Sequence, residues 1–409
     1  MSDLDLFLGD PRNIADAVLF PGVDRIREED PVFFSPSQHL WFITRHEDVV
    51  NTFNDRRWSA KRLHGSQFTT IPEADREREI PNLMRFIPAW VNNMDSPQHD
   101  RVRRVLLKGF TRKSIEQLRP AIEKTCDELI DRALEKRELD FVDEIAFPLP
   151  ATVILQLLGV SLEHLPKMRG WANIITAAIA GVQPSRELLY GAEQAFVEMN
   201  DIFMVEIEKR KSHPGNDVIT ALSQAYEGGE ALSIEELLGL LQLVIIAGHD
   251  STANSIGLGL LALLQHPEQM ADYKEGRVEG MTAMTELLRH VNVSAMQPRV
   301  AAERIELRGK TIEAGSYAFV MIVGANRDPR VFENPTLMNF SRPNLYRFAV
   351  FGPGLHHCVG HHLARIELEC LYRRWVERVG KVEADTRNLQ FQRNPVFRGL
   401  ESLPVRISA

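Results

Sequence analysis

Between Glu235 and Gln265 the chain keeps a helical period for about 30 residues, without a proline and apolar nearly all round. At 1.5 Å per residue such a helix is about 45 Å long. A helix that is apolar on every side has to be buried. A membrane span is the other solution, but Gly248-His-Asp-Ser-Thr-Ala-Asn-Ser255 would set an acid and several polar groups in hydrocarbon, and no second span accompanies it. A buried central helix with a polar notch remains. Gly248 leaves room for another group to approach the backbone, and Ser251 and Thr252 divert backbone hydrogen bonds and so bend the helix. An acid, Asp250, beside two hydroxyls in apolar surroundings marks the notch as functional.

The rest of the chain is arranged around that helix. Pro31 to Ile43 reads as a strand pair leading into a helix at His46, and Glu73-Ala-Asp-Arg-Glu-Arg-Glu79 as a solvated loop or short helix. From Ser96 to Leu288 the period is helical nearly throughout, and after Arg299 short alternating runs such as Thr311 to Val320 read as strands. The fold class is mainly α with a minor β-sheet region supplied by both ends. A chain of 409 residues with 44% hydrophobic residues buries a large core and a sizeable cofactor without staples. No repeat or linker divides it, so a single domain over 1–409 is expected, with no fused reductase. A formal net charge of −8 excludes a general binder of nucleic acid or anionic membranes. Three cysteines, Cys126, Cys358 and Cys370, make no disulfide framework, which favours a reducing, cytoplasmic compartment. Met1 to Asp10 carries acids where a signal peptide needs positive charge, so no targeting segment is expected.

Phe351-Gly-Pro-Gly-Leu-His-His-Cys-Val-Gly360 runs directly into a helical segment, His361-His-Leu-Ala-Arg-Ile-Glu-Leu368. Glycines at 352, 354 and 360 let the backbone fold tightly and direct N–H groups at one atom. Cys358 stands near a helix N-terminus, where the dipole and free N–H groups favour a thiolate. Such a thiolate serves as a nucleophile or a metal ligand. A nucleophile needs a base, which His356, His357, His361 or His362 would offer. A zinc site would use the same histidines, but no second cysteine cluster is present. A Cys-x-x-Cys-His haem attachment is also absent. Residue types and spacing leave these readings open.

The segment resembles the cysteine loop of the cytochrome P450 family, Phe-Gly-x-Gly-x-His-x-Cys-x-Gly, at every fixed position. Glu286-Leu-Leu-Arg289 resembles the family's Glu-x-x-Arg motif. Ala325-Asn-Arg-Asp-Pro329 with Phe332 and Pro335 resembles its meander approach, and Ala247-Gly-His-Asp-Ser-Thr252 its oxygen-binding groove. Asp95-Ser-Pro-Gln-His99 and Arg398-Gly-Leu-Glu-Ser-Leu-Pro404 also fit, so the likeness covers essentially the whole chain. Two departures stand out. Phe348-Ala-Val replaces the family's common His-Leu-x before the loop, which is expected to change local packing. Ser251 stands where threonine is usual, keeping the hydroxyl but losing the methyl that holds its rotamer.

The resemblance implies roles residue by residue. Cys358 is the axial thiolate of a haem b iron, a ligand that favours O–O cleavage. Phe351 packs on the sulfur side, and Gly352, Gly354 and Gly360 shape the loop. His99, Arg103, Arg299 and His356 match the propionate partners, and Ala247 and Gly248 the groove above the haem. Asp250 and Ser251 are the acid–alcohol pair that delivers protons, with Thr252 in reserve. Glu286 and Arg289 are a structural ion pair. The substrate pocket is expected from Phe86 to Trp90, from Leu243 through Ile246 to Gly248, with His249 at its edge, and at Ser294, Met296 and Leu400. These residues imply a mainly apolar substrate, such as a terpenoid, fatty acid, steroid or polyketide.

The activity implied is a soluble, bacterial-type monooxygenase using O2 and NAD(P)H to hydroxylate or epoxidise. Electrons arrive through a separate ferredoxin and ferredoxin reductase, with neither nucleic acid nor membrane as partner. A peroxide-driven or rearranging haem-thiolate enzyme, or a haem gas sensor or carrier, is the alternative; substrate-dependent NADH consumption with a ferredoxin system separates them. Arg101, Arg103, Arg104, Lys108, Arg112 and Lys113, with Arg365, Arg373 and Arg374 after Cys358, are expected to form a basic docking patch with Arg103 turned inward.

Overall fold

The computed structural model describes residues 16–61, 68–180, 184–227, 232–392, 394 and 396–408; the N-terminal stretch read above for targeting lies outside them. Its contacts gather into two compact units. One comprises residues 1–59, 122–147 and 251–409, the other 60–121 and 148–250.

The first unit holds the sheets. Strands β1 (Val32–Ser35), β2 (Leu40–Ile43), β3 (Trp58–Ser59), β5 (Gln297–Ala301) and β8 (Tyr317–Val320) form one sheet in the order β1-β2-β8-β5-β3. Only β2 and β8 run parallel, with Trp41 opposite Ala318. The hairpin runs straight into helix α1 (His46–Asn54), as its sequence pattern requires. Strands β4 (Glu138–Asp140), β9 (Lys381–Ala384) and β10 (Pro404–Ser408) make a second sheet, so the middle of the chain also contributes. Beneath the first sheet, Val32, Ile43, Val49, Ala318, Val320 and Ile322 pack as one apolar core.

The centre of this unit is ionic. Arg289, in helix Gly280–Val291, meets Glu286 at 2.7 Å, and neither side chain is exposed at all. Arg342 bonds the same carboxylate at 3.1 Å, and Asn339 donates its backbone N–H to it at 2.9 Å. Arg289 also donates to the carbonyls of Asn326 and Pro335. Two cations and one acid are thus saturated with partners, the condition for burying charge without large loss. These bonds tie the pair to the Ala325–Pro335 stretch, and Asn326 extends the link by accepting from the Ala349 N–H at 2.7 Å.

The second unit is helical. Helix Arg186–Ser212 starts at Ser185, whose hydroxyl accepts from the Leu188 N–H, and carries Lys209, Arg210 and Lys211 in its last turn, where the dipole favours cations. Glu193 of this helix accepts from the backbone N–H groups of Asn82 and Leu83, fixing the start of helix Pro81–Phe86. The charged stretch Glu73–Glu79 is a short helix with no buried residue. The long helix spans Ile234–Gln265, 32 residues, one residue earlier than its sequence pattern begins. Its residues up to Asp250 count with the second unit and those from Ser251 with the first. Among the described residues, no helix is long and apolar enough to cross a membrane.

Candidate active site

The cysteine loop is built by its backbone. Gly352 and Gly354 have φ of 65° and 90°, values that side chains resist. A Cβ on Gly354 would also stand 2.5 Å from the Phe53 carbonyl oxygen. The Cys358 N–H donates to the Phe351 carbonyl at 2.9 Å, closing the loop. Helix His361–Arg378 starts immediately afterwards, and a Cβ on Gly360 would lie 4.0 Å from Cys358 Sγ. Cys358 is exposed, whereas Cys126 and Cys370 are buried inside helices. Burial and the nearby Cys370 push the Cys126 thiol well up, so it is a poor thiolate.

Around the loop, Phe351 packs edge-on to Phe348 at 5.6 Å and to His361 at 5.8 Å. His357 and His361 meet at 4.7 Å, but among the described residues no group of three or more ligating side chains is arranged to hold a metal ion. The zinc reading therefore has no support here. Further along the same helix, Glu367 is fully buried, and neither carboxyl oxygen has a hydrogen-bond partner among the described residues. Burial pushes this acid well above the usual carboxylate range.

In the same unit, Arg299 is 6% exposed and lies over the Phe53 ring at 4.9 Å. Met296 and Leu400 are buried, and Ser294 pairs with Phe397 through a β-bridge. The Leu400 segment reaches the long helix at Asn254, whose side chain blocks any Cβ on Gly399 and bonds Gln392. Thr252 is buried and Ser251 half-buried, and the Ser255 hydroxyl donates back to the Ser251 carbonyl at 2.8 Å.

In the second unit the notch takes a different form from the one expected. The approach that Gly248 permits is used by Ile154, whose Cδ1 stands 2.5 Å from where a Cβ would be. Leu243 is half-buried and Ala247 exposed, an open edge on an otherwise buried helix that has Ile246 just inside it. Burial pushes Asp250 up to about 6, against the pull of the Arg169 guanidinium. His249 is 1% exposed, and its Nδ1 lies 2.6 Å from the Ile245 carbonyl one turn back. With that nitrogen occupied, burial pushes the ring down to about 4, leaving it neutral.

Phe86 and Trp90, expected to line the pocket, pack on Phe196 at 6.2 and 6.0 Å and are almost wholly buried. Trp90 Nε1 reaches Gln242, which donates to Asn200 at 2.6 Å. Sequence reasoning missed Phe196, Gln242 and Arg169; only Gln242, an amide on an otherwise apolar stretch of the long helix, carried a signal. His99 is buried with Nδ1 3.0 Å from an Asp100 carboxylate oxygen, and Arg103 is half-buried one turn on. A cavity of about 460 Å³ at the start of the long helix is lined by Lys61, Arg85, Asn93, Gln98, Glu235 and Glu236. Its charges are matched by the Arg85–Glu235 and Arg101–Glu236 ion pairs, so it is a polar cleft unlike the apolar pocket expected.

The docking patch also needs correction. Arg101 pairs with Glu236 at 2.6 Å. Arg373 pairs with Glu369, and Arg374 with Glu123 and Asp127, because helix Arg119–Lys136 presents acids to them. Arg365 lies over the rings of Phe348 and Phe351. Arg104, Lys108, Arg112 and Lys113 remain exposed, with no acid between Arg101 and Lys113.

An exposed cysteine thiol just before a helix N-terminus, a glycine-built loop around it and a packed Phe351 suit a haem iron rather than a hydrolytic nucleophile. The comparisons agree. The family described as Cytochrome P450 matches residues 171–276 and 281–379. Cytochrome P450 107B1 of Saccharopolyspora erythraea is 36% identical over 90% of this chain and 89% of its own. The polyketide biosynthesis cytochrome P450 PksS of Bacillus subtilis is 33% identical over 95% of this chain and 96% of its own. P450BioI, solved in complex with a hexadec-9Z-enoic acid ligated acyl carrier protein, superposes with a TM-score of 0.86 at 29% identity over 100% of both chains. The chain belongs to the cytochrome P450 family of monooxygenases, whose members are haem-thiolate oxidoreductases.

Proposed function

We propose that this enzyme inserts one oxygen atom of O2 into a mainly apolar acyl or polyketide-like molecule, drawing electrons from NAD(P)H through a separate ferredoxin and its reductase. The observation that carries the reading is the exposed Cys358 thiol in a glycine-built loop at the head of a helix. Apolar pocket candidates and the polyketide and fatty-acyl names of the relatives support the substrate class. Cys358 holds the iron, Phe351 and the loop glycines shape its surroundings, and His99, Arg103, Arg299 and His356 take the propionates. The haem, when bound, supplies the binding and activation of O2.

The chain's own part is proton delivery. Asp250 holds a proton on its carboxyl in apolar surroundings, and Ser251 Oγ passes it on, with the Thr252 hydroxyl in reserve. Because burial lifts Asp250 to about 6, the proton-requiring step slows as pH rises through that value. Asp250→Asn is expected to be slower by tenfold or more and to lose the inflection near 6, as positioned proton donors contribute at least that much. Ser251→Ala is expected to divert electrons to peroxide. Pre-steady-state rates across pH, with peroxide assayed in parallel, check both; native rates and coupling would show another proton route.

Ferredoxin docking falls to Arg104, Lys108 and Arg112. Charge reversal at these three is expected to raise the apparent Michaelis constant for ferredoxin while substrate affinity stays as it was, and added salt should mimic the change. Titrating ferredoxin at two ionic strengths tests this. NADH consumed in proportion to a single oxygenated product, in a reconstituted system, tests the reaction; product formed only with added peroxide would overturn the electron route.

A further inference from the structure

Arg365 lies seven residues beyond Cys358, one turn into the helix that the cysteine loop begins. Its guanidinium carbon stands 5.2 Å from the centre of the Phe348 ring and 5.1 Å from that of Phe351. The two rings meet edge-on, at 5.6 Å and 84°, and so form a corner around the cation. Phe348 is the first residue of the Phe348-Ala-Val departure, so this corner depends on a side chain that is not the family's common one. Among the described residues Arg365 Nε is buried without a hydrogen-bond partner, which distinguishes this arginine from its neighbours Arg373 and Arg374, each held by carboxylates. Burial pushes Arg365 down, and the charge of Cys358 acts against that push.

An arginine with no carboxylate partner among the described residues is retained at a desolvation cost, which the faces of two aromatic rings offset in part. We infer that Arg365 is a positioning residue whose fixed charge, held in the Phe348–Phe351 corner, tunes the electron-donating power of the Cys358 thiolate. The inference rests on the reading of Cys358 as haem ligand. A cation near the sulfur withdraws electron density from it. It also favours the reduced site, which carries one more negative charge than the oxidised one. A unit charge acting across a partly buried site of effective dielectric about 20 changes such an equilibrium by on the order of tenfold.

The experiment is an equilibrium redox titration of haem-loaded protein against mediator dyes. R365M is expected to show a ferrous-to-ferric ratio on the order of tenfold below native at the same ambient potential. R365K should recover part of the difference, and F348L, which opens one side of the corner, should move the ratio the same way by less. A merely structural arginine would alter thermal stability and leave the ratio where it was. If R365M does not accumulate, R365K and F348L carry the test, and native ratios in both overturn the role. A native ratio in R365M, or R365K as low as R365M, likewise overturns it. Native protein without the red-shifted ferrous–CO Soret band overturns the reading of Cys358 instead, and this role with it.

Discussion

Cys358→Ala protein is expected to lose the red-shifted Soret band of its ferrous–CO form completely, while Cys126→Ser and Cys370→Ser keep it. The difference follows from surroundings. Cys358 is exposed at a helix N-terminus with loop glycines around it, where thiolates are favoured. Cys126 and Cys370 lie within helices and are almost completely covered, and burial holds the Cys126 thiol protonated. Difference spectra of the three purified variants decide the matter. Retention of the band in Cys358→Ala would sink both the ligand assignment and the proposed activity.

The second large effect is on folding. Glu286→Ala would leave Arg289 and Arg342 buried without their carboxylate, and would also orphan the Asn339 N–H. Breaking a buried pair in this way costs about 3–5 kcal/mol, a large part of the roughly 5–15 kcal/mol that holds a domain together. Little soluble, haem-loaded protein is expected, and what accumulates should unfold at much lower urea. Arg342→Leu should cost less, because Arg289 stays to neutralise the acid. Equal losses in the two variants would show that the cluster acts through packing and not through charge.

What the sequence made legible shares a common character. The long helix was visible because an apolar pattern without proline permits little else, and its start was misplaced by one residue. The cysteine loop was visible because Gly352 and Gly354 meet requirements of their own backbone. Glu286 and Arg289 were visible only through the resemblance to the family's Glu-x-x-Arg motif, since an i, i+3 pair by itself is common on any charged helix. What stayed hidden was the identity of distant partners. Gly248 advertised a close approach, but nothing in its neighbourhood named Ile154. Arg374 and Arg104 read alike in sequence, yet one faces Glu123 and Asp127 and the other faces solvent. Phe86 and Trp90 read as pocket walls, and their stacking on Phe196 depends on a helix more than 100 residues away.

The acid at Glu367 makes folding of this chain a proton-consuming reaction. Unfolded, its carboxyl ionises near the usual 4.5; folded, it holds its proton to a well higher pH. For this group stability is therefore fully present below about pH 4.5 and is drained as pH rises towards the folded value. The loss runs at up to about 1.4 kcal/mol per pH unit inside that window. Glu367→Met should remove this slope and recover about 1–3 kcal/mol at neutral pH, since an apolar side chain leaves no buried oxygen unsatisfied. Urea midpoints of the two proteins at pH 6 and pH 8 measure it, and the native protein should fall further behind at the higher pH. A single side chain, two turns beyond the cysteine loop, would then make the stability of the helix that follows Cys358 fall as pH rises.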